Sequence, residues 1–286
     1  MNAKVLKTLE YNKIIDRLTE RATSDPGRRL CRELEPMTEL EEIQAAQRET
    51  ADALTRLFKK GSISFGSNRE LGLSLRSLEI GSILSAPELL RIALLLENAA
   101  RVKNYGRKDR EDAPDDSLTV LFNGIEPLTQ LSNEINRCIL SEEEISDDAS
   151  PGLKRVRRSM AQTTDRIHSQ LASMVNGSLH SFLQDALVTT RDGRYCVPVK
   201  AEYRSRVPGM IHDQSSTGST LFIEPAAIVN LNNQMRELEI EEQKEIEKVL
   251  AALSAEVAEH GEAIAENQKI LTRLDFIFAK AGLAME

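Results

Sequence analysis

The sequence predicts a mostly α-helical protein with a small β insertion: a helical core plus a long antiparallel helix pair carrying a four-stranded β tip. Three observations predict it. Residues Val188 to Pro225 read as short β-rich runs separated by turns, inside a chain whose other apolar residues recur at helical spacing. Before that island, Leu153, Met160, Ile167 and Met174 recur every seven residues; after it, Ile228, Leu231, Met235, Leu238, Val249, Leu253 and Val257 form a second stripe. The composition agrees: 29% charged residues, 4% aromatics and no Trp suit long solvated helices.

Taken in order, the first segment to about Lys60 reads as helices. Leu6, Leu9, Ile14 and Leu18 approximate a 3.6-residue period, Asp25-Pro26-Gly27 punctuates it, and Thr38 with Glu41 forms a capping-box pattern before Ile43. The Gly/Ser-rich stretch from Gly61 to Asn68 reads as a loop. Ser85 caps a further helix with Pro87 in its first turn and an apolar face of Leu89, Leu90, Ile92, Leu95 and Leu96. Residues Lys103 to Ser117 read as an exposed polar connection. After the acidic run Glu142 to Asp148, Ser150 caps a helix that begins at Pro151. The two flanking helices are each expected to span about 34 residues, or about 50 Å. The expected organisation is a helical core over 1–130, the helix pair over 131–185 and 226–262, the β tip over 186–225, and a return to the core over 263–286.

Within the tip, Arg191-Asp192-Gly193-Arg194 holds an Asp-Gly hairpin signal. Val207-Pro208-Gly209 and Ser215-Ser216-Thr217-Gly218 mark two more turns. Strands are expected near 186–190, 194–200, 209–214 and 220–224. Pro198 cannot donate to a ladder, so its strand is expected at an edge or bulged. A sheet this small has little core of its own, which favours contact over catalysis.

Charge and chemistry narrow the function. The chain carries −8 overall, yet residues 150–212 hold ten Lys and Arg against four Asp and Glu, a local +6. A basic arm on an acidic body suits local contact with a polyanion. Arg191, Arg194, Lys200, Arg204, Arg206 and His212 are the candidate backbone-contact residues, with Lys154, Arg155, Arg157 and Arg158 as a second basic cluster at the helix start. Tyr195 and Tyr203 suit packing better than base stacking. Binding of this kind is salt-sensitive and weakly sequence-specific. His168 and His180 fall on the outgoing helix and His260 on the return, none in a metal-binding pattern. Gly61 and Gly66-Ser67 imitate a phosphate loop without its lysine. No catalytic residue, metal site or nucleotide site is expected, so the chain is not expected to be an enzyme by itself. Cys31, Cys138 and Cys196 are scattered and odd in number, as in a reduced cytoplasmic protein. No apolar run approaches the roughly 20 residues that span a bilayer.

At the tip the chain resembles a known family. The strings Asp192-Gly193-Arg194-Tyr195, Val197-Pro198-Val199-Lys200-Ala201-Glu202-Tyr203-Arg204, Val207-Pro208-Gly209, His212-Asp213-Gln214-Ser215, Thr220-Leu221-Phe222-Ile223-Glu224-Pro225 and Leu231-Asn232-Asn233 closely resemble the MutS-two subfamily of bacterial MutS paralogues. Leu9-Glu10-Tyr11, Ala149-Ser150-Pro151 and Leu274-Asp275-Phe276-Ile277-Phe278-Ala279-Lys280-Ala281 extend the resemblance over essentially the whole chain. The resemblance implies the helical core, lever helices and β clamp of a dimeric MutS-like protein. An ATPase domain, with ATP and Mg, and an Smr nuclease domain would lie outside this chain. The subfamily lacks the amino-terminal mismatch-reading domain, and this chain begins directly with core helices.

The resemblance further implies a clamp that grips branched or recombination-intermediate DNA by its backbone and suppresses homologous recombination. Its alternative target is the ribosome, in sensing and splitting collided particles. A third possibility is a structural arm that dimerises. A cytoplasmic homodimer without membrane contact is the expected setting for all three.

Overall fold

The computed structural model describes residues 3–66, 71–107 and 115–286. Among them, eleven α-helices and six short strands divide into two compact units, residues 1–146 with 250–286 and residues 147–249. The fold is mostly α with a small antiparallel β insertion, as expected.

The first unit is helical. Its helices are α1 (Ala3–Thr8), α2 (Tyr11–Arg21), α3 (Asp25–Arg32), α4 (Leu40–Lys60), α5 (Gly72–Glu79), α6 (Ala86–Gly106), α7 (Thr119–Gly124) and α8 (Thr129–Cys138). Strands β1 (Ile139–Ser141) and β2 (Glu144–Ile145) form a hairpin in what reads as an acidic run, and α11 (Gly261–Ala284) closes the unit. Helix α6 buries Leu89, Ile92, Leu95 and Leu96, the face its periodicity announces. Its first turn is capped by Ser85, whose N–H and Oγ both donate to Glu88 Oε2 at 3.0 and 2.7 Å. It runs to Gly106, so the polar connection expected from Lys103 begins later; 108–114 and 67–68 of the expected loops lie outside the described residues.

Three local readings are corrected. Glu10 takes a left-handed conformation (φ 54°) that separates α1 from α2. The expected continuous stripe is therefore reset: Ile15 and Leu18 are buried, while Leu9 and Ile14 are exposed. Asp25-Pro26-Gly27 opens α3 rather than interrupting a helix, because Ser24 Oγ accepts from Gly27 N–H at 3.0 Å and caps it. Thr38 forms no capping box with Glu41; the helix starts after Glu39.

Asp275, at 1% exposure, ties α11 to the start of α3. Its carboxylate accepts from Thr23 N–H and Oγ1 at 2.9 and 3.0 Å, and from Ser24 N–H and Oγ at 2.8 and 2.6 Å. Phe65 is buried between Phe278 and neighbouring core residues, and its N–H donates to Thr23 Oγ1 at 2.9 Å. The described part of the phosphate-loop look-alike, residues 61–66, is thus a loop anchored in the core.

The second unit holds α9 (Pro151–Asn176), the start of α10 (Val229–Glu259) and a sheet of β3 (Thr189–Arg191), β4 (Arg194–Lys200), β5 (Gly209–Gln214) and β6 (Thr220–Pro225) in the order β3-β4-β6-β5. Ser150 Oγ caps α9 by accepting from Leu153 N–H at 3.0 Å. Arg157 pairs with Glu242 at 2.7 Å, and Gly152 lies against Glu245, so the two helices run antiparallel. The buried positions of α9 are Leu153, Val156, Thr163, Ile167, Leu171 and Val175, a fuller 3–4 spacing than the seven-residue recurrence alone.

The lengths do not match as expected: α9 has 26 residues and α10 has 31. Gly177 ends α9, and the chain then turns through a short 3-10 helix, His180–Phe182, which removes His180 from the outgoing helix. Leu179 and Leu183, beyond that break, join Ile167, Leu171, Val197, Val199, Ile223 and Met235 in one apolar cluster under the sheet. His260 likewise stands at the break between α10 and α11.

Gly27 packs so closely that an added Cβ would meet Asp275 Oδ2 at 2.1 Å, whereas Gly72 has open space around it. Gly27→Ala is therefore expected to destabilise the protein by about 2 kcal/mol through overpacking. Gly72→Ala is expected to change stability by less than about 1 kcal/mol. Urea unfolding of both variants checks this; equal effects would refute the role given to the close approach of Asp275.

Candidate nucleic-acid interface

The Asp192-Gly193 signal forms the turn it predicts. Both residues carry positive φ, 50° and 71°, as a two-residue type I′ hairpin requires, and Arg191 pairs with Arg194 across it. Strands β4, β5 and β6 fall at their expected positions, whereas β3 is shorter and later than the expected 186–190, running from Thr189 to Arg191. Pro198 also departs from expectation. Its strand β4 is internal, paired with both β3 and β6, and is not bulged at that point. The proline is accommodated because β3 begins only at Thr189, opposite Cys196, and does not reach Pro198. Pro198 C=O, on that same flank, accepts from Gln184 N–H at 2.9 Å, so the missing N–H falls where no strand is waiting.

The opposite flank shows the reverse problem. The β4–β6 ladder stops after Val197 pairs with Ile223, leaving the N–H and C=O of Tyr195 without a strand partner. Asn232 of α10 takes over. Its Oδ1 accepts from Tyr195 N–H and its Nδ2 donates to Tyr195 C=O, both at 3.2 Å. The carboxamide thereby stands in for one peptide of a strand.

Asn232 Nδ2 also donates to Glu224 Oε1 at 2.8 Å. Glu224 is 1% exposed and is the centre of the site's polar network. Arg194 Nη1 pairs with Oε1 at 2.8 Å, His212 Nε2 meets Oε2 at 2.6 Å, and Arg194 Nη2 donates to Asn233 Oδ1 at 2.8 Å. Burial pushes the Glu224 carboxyl toward the neutral form. The hydrogen bonds from Asn232, His212 and Arg194 outweigh it and hold the pKa below the ordinary carboxylate value.

The candidate contact residues are thus distributed unevenly. Arg194 and His212 are brought together on Glu224. Arg191 stacks 3.9 Å from the centre of the Phe222 ring and pairs with Asp213 at 2.9 Å. Arg204 donates to the carbonyls of Val207 and Gly209, both at 3.1 Å, and so braces the turn before β5. Lys200 and Arg206 make no side-chain hydrogen bond or ion pair among the described residues; Arg206 is exposed and Lys200 half-buried.

The second basic cluster divides in the same way. Lys154 pairs with Asp148 at 2.6 Å, and Arg157 with Glu242 and Asp147 at 2.7 and 2.5 Å. Arg155 and Arg158 are exposed. From Arg158 to Val175, which packs under the sheet, α9 rises about 25 Å at 1.5 Å per residue, so these two arginines do not share a patch with the tip.

The remaining side chains are structural. Tyr195 packs edge-on to His168 at 5.3 Å and Tyr203 against Phe182 at 5.3 Å. Cys31, Cys138 and Cys196 are buried, and burial pushes each thiol up to about 11, away from reactivity. Among the described residues no cluster of three His, Cys, Asp or Glu could hold a metal, and no helix is long and apolar enough to cross a membrane. In the sequence, Asn232 and Glu224 stand out only as members of motif strings, because neither carries a positive charge. The signal that could have found them is a lone Glu at the end of an apolar strand with an Asn pair eight residues on.

No family model matches the chain. A protein named Endonuclease MutS2 from Agathobacter rectalis is 57% identical over 285 residues, covering 99% of this chain. Those of Lachnoclostridium phytofermentans and Acetivibrio thermocellus are 52% and 42% identical, over 99% and 100% of the chain. The chain spans 36% of the length of each of these relatives.

Asn232→Ala is expected to cost about 3 kcal/mol, since it leaves two backbone groups and one carboxylate oxygen short of partners. Because the folded-state pKa of Glu224 is depressed, its stabilisation is complete above the unfolded value of about 4.3 and is lost as pH falls through the lower folded value. Glu224→Gln should therefore lower stability at pH 7 and narrow the difference from wild type in acid. Urea midpoints at pH 7 and pH 3 measure both; a variant gap that stays constant with pH would refute the ionised network.

Proposed function

We propose, from the premise that the chain is a MutS-like sequence related along its whole length to MutS2 proteins, that its second unit is a nucleic-acid clamp gripping branched DNA by the phosphate backbone. The relatives carry the name endonuclease, which supports a nucleic-acid reading. The observation that carries the reading is the division of the tip's cations. Arg191, Arg194 and Arg204 are spent on holding the sheet, while Lys200 and Arg206 are left without a partner among the described residues. Lys200 ends β4 and Arg206 ends the short 3-10 helix that follows it, and a cation without a protein partner is available to a phosphate oxygen and reads no base.

On this reading the contact is electrostatic, weak in sequence preference and screened by salt. The structural arginines set the sheet's shape and enter binding only through it. Suppression of recombination would result from occupying branched intermediates. The endonuclease activity in the relatives' name is said of those whole proteins, of which this chain spans 36%, and is not part of the role proposed for it.

The double variant Lys200→Glu, Arg206→Glu tests the assignment. It should weaken binding of the chain to four-way junction DNA at least tenfold and flatten the dependence of log K on log salt by about two, near 0.9 for each phosphate no longer neutralised. Its helical circular dichroism should be unchanged. Unaltered junction binding by the folded double variant would refute the role of these residues. Binding to intact ribosomes without binding to junction DNA would transfer the clamp to a ribosomal target.

A further inference from the structure

In the first unit, an open cleft of about 550 Å³ runs between α4, α2, α11 and the extended segment 33–39. Its wall on α4 is the stripe Ile43, Ala46, Thr50 and Leu54, at spacings of three and four, and these residues stay half-exposed. Leu34 and Pro36 face them from the extended segment. The residues lining the cleft all belong to this unit.

One cation is set into this lining. Lys280 is half-buried and makes no hydrogen bond or ion pair among the described residues; its ammonium lies 4.7 Å from the centre of the Phe276 ring. Burial is the largest influence on it and lowers its pKa, with Arg273 acting in the same direction and Glu49 opposing. The ammonium keeps access to water but has no anion at ion-pair distance among the described residues, so a bound carboxylate would gain a direct pairing there. Glu35 also lines the cleft and repels highly charged ligands. The apolar wall and the unpaired ammonium suit a single negative charge on an apolar body.

We propose that this cleft is a small-molecule site for an aliphatic or aromatic monocarboxylate, whose carboxylate pairs with Lys280 and whose apolar body lies along the α4 stripe.

Decanoate is the probe and decanol its neutral control, each titrated into the 286-residue chain and followed by calorimetry and amide chemical shifts. Decanoate should bind at least tenfold more tightly than decanol, with shifts centred on Ala46, Thr50 and Lys280. Lys280→Met should remove that preference and leave decanol binding in place. Ala51→Trp, at a cleft position that is itself exposed, should block both ligands. Equal affinity of the wild type for the two ligands, or no decanoate binding, would overturn the proposal even if Lys280→Met fails to fold. Undiminished decanoate binding by a folded Lys280→Met protein would overturn it as well.

Discussion

A buried carboxylate governs the second unit. Glu224 sits at the end of an internal strand with almost no exposed surface, and an ion placed there is tolerable only when donors surround it. Those donors come from three elements: Arg194 from β4, His212 from β5 and Asn232 from α10. Satisfying the charge therefore joins two strands and a helix at one point. Asn232 adds to the constraint by completing the β4 ladder at Tyr195. The small sheet has a modest apolar core, and this polar junction orients it on its helices.

The same device recurs in the first unit. Asp275 gathers four donors from Thr23 and Ser24. Asn267, fully buried, accepts from Glu126 N–H at 2.8 Å and donates to Glu126 C=O at 2.5 Å, as Asn232 does with Tyr195. Arg56 grips Asp116 through two bonds of 2.6 and 2.9 Å while lying over Phe122. Each buried polar side chain pins a loop or a frayed strand to a long helix. Helix packing alone supplies apolar area without direction; these bonds supply the direction.

This economy bears on how charge is read for function. The local excess of basic residues is real, but much of it is consumed inside the fold. A cation that braces a turn, as Arg204 does, and a cation that faces water, as Arg206 does, look alike in a sequence. A ligand meets only the second kind. The positive surface offered to a polyanion is accordingly smaller than the composition of residues 150–212 suggests, and it separates into a patch on the tip and another at the start of α9.

The sequence by itself determined the elements whose signals are local. The Ser150 and Ser85 caps, the Asp192-Gly193 turn, the spans of β4, β5 and β6 and the buried face of α6 all arise from residues within one or two turns of each other. Its motif strings also carried the family resemblance. Tertiary structure alone decided where α9 stops relative to its partner, why Pro198 is tolerated in an internal strand, and which arginines remain available. The physical reason is distance along the chain. Arg194 finds Glu224 thirty residues away and Tyr195 finds Asn232 thirty-seven residues away, so no local pattern distinguishes a paired cation from a free one.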